Sequence, residues 1–185
     1  YTSGNSFGET SRKRGRWTRD LDFDVKDIRK GPAEVLWFVG DYASFDPRNQ
    51  KVSRSLAQIL RRAGVDFGIL YDGERTAGND VRRVGEEGLD ADLAEENVAT
   101  ISGCSFDRIL TSDPHSFNTL KNEYPQFGGE WDVVHHSQLL LELIAPGHGV
   151  ACDCVRGGVL DCHALHTYPG YCRAPCERQV AVGMR

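Results

Sequence analysis

The stretch EVLWFVG at 34–40 limits the fold more than any other part of the chain. It is apolar without alternation and ends in glycine, which is how a strand buried on both faces of a sheet reads. The next stretch is helical in period. KVSRSLAQILRRAG (51–64) sets Val52, Leu56, Ile59, Leu60 and Ala63 on one face, with Gly64 as the stop. The alternation then repeats. VDFGILY (65–71) reads as a second strand. DVRRVGEEG and DADLAEENVATI read as helix broken near Gly88. FDRILT (106–111) is a third strand, and PHSFNTLKNEY (114–124) is a helix opened by Pro114. WDVVHH (131–136) is a fourth strand, followed by SQLLLELIA (137–145), capped by Ser137. The order βαβαβαβα predicts an α/β domain with a Rossmann-like parallel sheet, right-handed crossovers and helices on both faces.

In such a sheet the loops after the strands open at one edge, where ligands bind. The unusual polar residues fall in those loops. Asp41, Tyr42 and Asp46 follow the first strand, and Glu74, Thr76, Asn79 and Asp80 the second. Asp113, His115 and Ser116 follow the third, and His135 and His136 end the fourth. Carboxylate and imidazole together suit zinc, iron(II) or manganese, so Asp41, Asp113, His115, His135 and His136 form one candidate metal set. Against it, Asp113 is well placed to cap the helix at Pro114, and a lone histidine is commonly structural. Asp41 and Asp113 also form a candidate acid/base pair. Arg82 and Arg83, with Glu74 and Asn79, suit a small anion, or else a solvated helix face.

The flanks read differently. Residues 1–32 are polar, locally basic and closed by Gly31-Pro32, as a linker would be, although Trp17, Leu21 and Phe23 are able to dock on a neighbour. A net charge of −5 argues against nucleic acid as a partner, and no apolar run reaches the length of a membrane span. Of six cysteines, Cys104 stands alone, while Cys152, Cys154, Cys162, Cys172 and Cys176 crowd into the tail. CDC and CRAPC are poor versions of a zinc-binding pair.

Residues 34–144 resemble one repeat of the cysteine-rich CCG domain, found in heterodisulfide reductase subunits, the glycolate oxidase iron–sulfur subunit and related (Fe–S)-binding oxidoreductases. The likeness is carried by FDPRNQKVSRSLAQILRRAGVDFGIL, ERTAGNDVRRVGEE, TSDPHSFNTLKNEYPQFGG and VVHHSQLLLELI. The family holds a [4Fe–4S] centre through a Gly-Cys, a Cys-Cys-Gly and a Cys-x-x-Cys after successive strands. Here those cofactor-binding positions read Asp41, Thr76-Ala77, and Asp113 with Ser116. The spacing is kept, with 34 residues between Asp41 and Thr76 and 34 between Gly78 and Asp113.

Iron–sulfur clusters need thiolates, so the repeat is expected to hold none. The resemblance implies that [4Fe–4S] clusters lie elsewhere in a longer parent protein. It implies three kinds of partner: a second CCG repeat, a ferredoxin-like domain and redox partner subunits. This segment itself is expected to touch neither nucleic acid nor membrane. The location expected is cytoplasmic, or the inner face of the membrane through other parts of the parent. Residues 33–146 then form the cluster-less repeat, an oxidoreductase component not catalytic by itself. Residues 147–185 are read as a divergent or truncated start of the second repeat. The alternative is a non-redox α/β domain binding a metal or small anion at its Asp/His-lined edge.

Overall fold

Five strands pair in parallel in the computed structural model, which describes residues 3–144. They are β1 (Lys26–Asp27), β2 (Val35–Phe38), β3 (Phe67–Ile69), β4 (Arg108–Thr111) and β5 (Val133–His135). Their order across the sheet is β1-β3-β2-β4-β5. β2 is fully covered along its length, as its unbroken apolar run requires. Val35 to Phe38 run in register with Arg108 to Thr111 of β4, while Val35 and Leu36 face Phe67 and Gly68 of β3.

The helices are α1 (Asp41–Phe45), α2 (Pro47–Arg62), α3 (Asn79–Arg83), α4 (Glu87–Ser102), α5 (Pro114–Asn118) and α6 (His136–Ile144). The chain leaves β2 for β3 on one side, then returns past β2 to β4 on the other. Right-handed crossovers in opposite directions place α2 on one face of the sheet and α4 on the other. Side chains of β2 therefore serve two cores. Trp37 packs edge-on against Trp17 at 5.3 Å and lies 6.0 Å from Phe67. Leu36 and Phe38 face the other way, with Leu70, Ala94, Ile101, Ile109, Leu120, Tyr124 and Val133. The reversal at β2 leaves a crevice at the carboxyl ends of β2 and β4, where doubly wound sheets take their ligands.

Five details correct the sequence reading. Residues expected to form a linker are folded onto the domain: Trp17 is 1% exposed, and Lys26–Asp27 adds a fifth strand beside β3. Nothing in that segment has a helical or strand period, because it is built of short 3-10 turns (Ser11–Lys13, Arg16–Asp20). On α2 the buried face is Ser53, Leu56, Ala57 and Leu60, while Val52 and Ile59 are 58% and 40% exposed. The break between α3 and α4 falls at Gly85, with φ +88°, and Gly88 lies within α4. The helix opened by Pro114 ends as α5 at Asn118 and widens into a π turn over Thr119–Glu123. Finally α6 begins at His136, and Ser137 Oγ bonds His135 Nδ1 at 2.8 Å.

Candidate functional site at the carboxyl edge of the sheet

Three loops converge where β2 lies between β3 and β4. A cleft of about 50 Å³ is lined by Ser6, Asp41, Tyr42, Thr76, Ala77, Asn79, Asp80, Asp113, His115 and Ser116. Asp41, Thr76, Ala77, Asp113 and Ser116, the five positions singled out by the resemblance, therefore meet at one place. An added Cβ on Gly40 would sit 3.6 Å from Ser116 Oγ, which shows how closely the first and third loops approach.

The side chains there are engaged with one another. Arg14 is 2% exposed and reaches in from the N-terminal segment. Its Nη2 donates to Asp41 Oδ1 at 2.7 Å and its Nη1 to Glu74 Oε1 at 2.8 Å. Its guanidinium also lies 5.1 Å from the centre of the Phe45 ring. Glu74 takes two further bonds, from Gly40 N to Oε1 at 2.8 Å and from Val39 N to Oε2 at 2.9 Å. Burial pushes the Glu74 pKa up, against the opposing pull of the Arg14 guanidinium and the Val39 and Gly40 N–H donors. Asp41 Oδ2 accepts from Ser6 N at 2.7 Å, and Gly4 O accepts from Thr76 N at 2.9 Å. The N-terminal segment thus straps the first and second loops together.

Asp113 does what its place before Pro114 predicts. Its oxygens accept from His115 N at 3.2 Å and Ser116 N at 2.9 Å, capping α5, and from Ser116 Oγ at 2.6 Å. His115 is exposed.

The second loop is fixed from below. Asn97 Nδ2 donates to Thr76 O at 3.0 Å and to the Tyr124 hydroxyl at 2.9 Å, and that hydroxyl donates to Ala77 O at 3.3 Å. Gly78 then turns the chain at φ +97°, where a Cβ would fall 2.0 Å from Asp90 Oδ1. Gly78→Ala is expected to cost roughly 1–3 kcal/mol from backbone strain alone, with the Asp90 overlap in addition. A fall in the urea-unfolding midpoint at unchanged slope would register it.

The other proposed sets are brought together only in part. His135 and His136 lie at the end of β5 with rings 4.2 Å apart, outside the residues that line the cleft. Burial and the neighbouring His135 push the His136 pKa down. Among the described residues no group of three or more His, Cys, Asp or Glu is placed to hold a metal ion; of the set Asp41, Asp113, His115, His135 and His136, the first three line the cleft and the two others do not. Asp41 is taken by Arg14 and Asp113 by its own helix. Nor do Glu74, Arg82 and Arg83 gather around an anion, since Arg82 pairs with Glu123 at 2.9 Å. Three carboxylates, Asp41, Asp80 and Asp113, line the cleft and would repel one. The tail cysteines lie outside the described residues.

Arg14 and Ser6 escape sequence reasoning, because a basic run in a turn-rich segment has the look of solvated charge. Asn97 has a readable signal: it falls between Leu93 and Ile101 on the buried stripe of α4.

A parallel sheet with its crevice at β2 and β4, and around it the five positions that the resemblance assigns to cluster ligands, is a doubly wound α/β frame. Residues 35–121 match the CCG family, described as Cysteine-rich domain, and this part of the chain belongs to that family. The chain is 40% identical over 151 residues to the probable iron-sulfur-binding oxidoreductase FadF of Bacillus subtilis (strain 168), covering 78% of this chain and 21% of that protein. It is 43% identical over 137 residues to a probable membrane-anchored ferredoxin of Chromohalobacter salexigens, covering 71% and 20%. It is 28% identical over 127 residues to one subunit of the dihydromethanophenazine:CoB–CoM heterodisulfide reductase of Methanosarcina mazei, covering 65% and 30%. The chain thus spans less than a third of the length of these curated relatives. No solved structure matches it. Among the described residues, no helix is long and apolar enough to cross a membrane.

The residues present do not fit the family's [4Fe–4S] centre. Its donor positions offer carboxylate, hydroxyl and methyl in place of thiolate. A buried guanidinium bridges Asp41 to Glu74, and Ser6 N reaches over the second oxygen of Asp41.

Proposed function

We propose that this repeat is a cluster-less cysteine-rich domain serving as scaffold in an (Fe–S)-binding oxidoreductase of the heterodisulfide reductase or glycolate oxidase kind. The observation that carries this reading is the ion network of Arg14, Asp41 and Glu74, buried at the edge where the family places thiolates. It ties the loops with fixed charges, a structural duty that elsewhere falls to a metal cluster. Electrons then pass through [4Fe–4S] clusters held in other parts of a longer parent. The names of the relatives, an iron-sulfur-binding oxidoreductase and a heterodisulfide reductase, support that assignment. The partners are a second CCG repeat, a ferredoxin-like domain and redox subunits. The location is cytoplasmic, reaching the inner face of the membrane only through other parts of the parent.

The test is iron and acid-labile sulfide, with an absorption spectrum, after reconstitution without oxygen. It is run on the full chain and on a variant with Cys152, Cys154, Cys162, Cys172 and Cys176 changed to serine. The expected result for the serine variant is neither iron nor sulfide and no charge-transfer absorption. A stoichiometric cluster in that variant would sink the proposal.

A further inference from the structure

Charge is segregated between the two faces of the sheet. Helix α2 carries Arg48, Lys51, Arg54, Arg61 and Arg62 and no acidic residue. Helix α4 carries Glu87, Asp90, Asp92, Glu95 and Glu96 and no basic one. The reversal of the crossovers at β2 sets these helices on opposite sides of the sheet. Each face also exposes apolar surface. Val52 and Ile59 lie seven residues apart on α2, among exposed Arg48, Lys51 and Arg62. Val84, 70% exposed, lies in the turn that leads into α4, after exposed Arg82 and Arg83 and before exposed Glu86 and Glu87. Neutralisation within each face is partial: Arg54 pairs with Asp20 at 3.2 Å, and Glu96 with Arg75 at 2.8 Å.

We propose that the α2 face of one copy of this chain docks on the α4 face of a second copy. The occupant is chosen by complementarity. A basic helix framing two apolar residues meets an acidic helix beside a third, and both surfaces belong to the same molecule. Matching charge selects the partner and aligns it, while the apolar centres supply contact area. The two patches differ, so the contact is heterologous. Each docked copy leaves one face free, and copies add head to tail. A lipid surface fits α2 less well. Leu56, Ala57 and Leu60 are buried in the domain, which leaves only Val52 and Ile59 to enter a bilayer.

Sedimentation velocity of the full chain, with reductant to keep the tail cysteines from cross-linking, tests this. At about 20 mM salt, where charges act over tens of ångströms, multiples of the monomer mass are expected to grow with concentration. At about 0.5 M salt the chain is expected to sediment as monomer. Arg48→Glu/Lys51→Glu and Asp92→Lys/Glu95→Lys each remove one face and are expected to stay monomeric at low salt. Mixed in equal amounts they should associate again, because each retains the face the other has lost and the two reversed faces are themselves opposite in charge. Should either double variant melt below the parent, Val52→Arg at its exposed position is expected to give the same loss of association. Three results would overturn the proposal: a monomer at every salt and concentration; association that survives in either double variant; or a low-salt monomer that co-sediments with phosphatidylserine vesicles through α2.

Discussion

Arg14→Met is expected to destabilise the chain by about 3–5 kcal/mol, the cost of leaving buried carboxylates without their cation. Arg14 is 2% exposed, and its two partners, Asp41 and Glu74, are 8% and 1% exposed. Removing the guanidinium leaves Asp41 with Ser6 N and Glu74 with Val39 N and Gly40 N, and two like charges facing the same space. Domains of this size have total stabilities of about 5–15 kcal/mol, so the loss is a large share of the whole. Arg14→Lys keeps the charge but cannot bridge both carboxylates with a planar fork, and should fall between the two. Urea unfolding of the full chain reads the effect. A change below about 1 kcal/mol in Arg14→Met would place the network in solvent-like surroundings and contradict the burial described above.

The second large effect is a gain. Asp41, Thr76, Ala77, Asp113 and Ser116 are all to be changed to cysteine, in a chain whose five tail cysteines are serine. That variant is expected to take up roughly four irons and four sulfides where the parent takes none. The shape of the site favours this gain. The five side chains already line one cleft, and the loops that carry them are fixed by Asn97, Tyr124 and the strap. Arg14 is expected to tolerate a thiolate at position 41, since it retains an anion to face. Retained folding with no iron bound would mean that Ser6 and Arg14 have closed the cleft beyond what new thiolates can reopen. The scaffold would then have departed from the family's cluster geometry in shape as well as in chemistry.

What could be read in advance divides along physical lines. β2 to β5 and the buried half of α2 were legible because an apolar run or period has few other uses. Asp113 was legible as a cap because Pro114 fixes where its helix starts. The convergence of Asp41, Thr76 and Asp113 came from parallel topology alone. Val52 and Ile59 were misplaced because apolar residues on an amphipathic helix need not all face inward. A sequence does not say which of two adjoining stripes finds a partner in the same fold. The N-terminal segment was hidden for another reason. It folds through single residues, Arg14 and Trp17, whose partners lie far along the chain, and no local pattern announces a long-range ion pair.

The strap also bears on how the chain reaches its folded state. Arg14 meets Glu74 across 60 residues, and Ser6 meets Asp80 across 74. Contacts this distant in sequence carry a loop-closure cost that neighbouring pairs do not. The cleft is therefore expected to assemble from β2, β3 and their loops before residues 4–14 close over it. That segment, although it precedes the rest of the sheet in the chain, is then among the last parts to settle. Until it does, Glu74 keeps only the amides of Val39 and Gly40, and Asp41 lacks both Arg14 and Ser6.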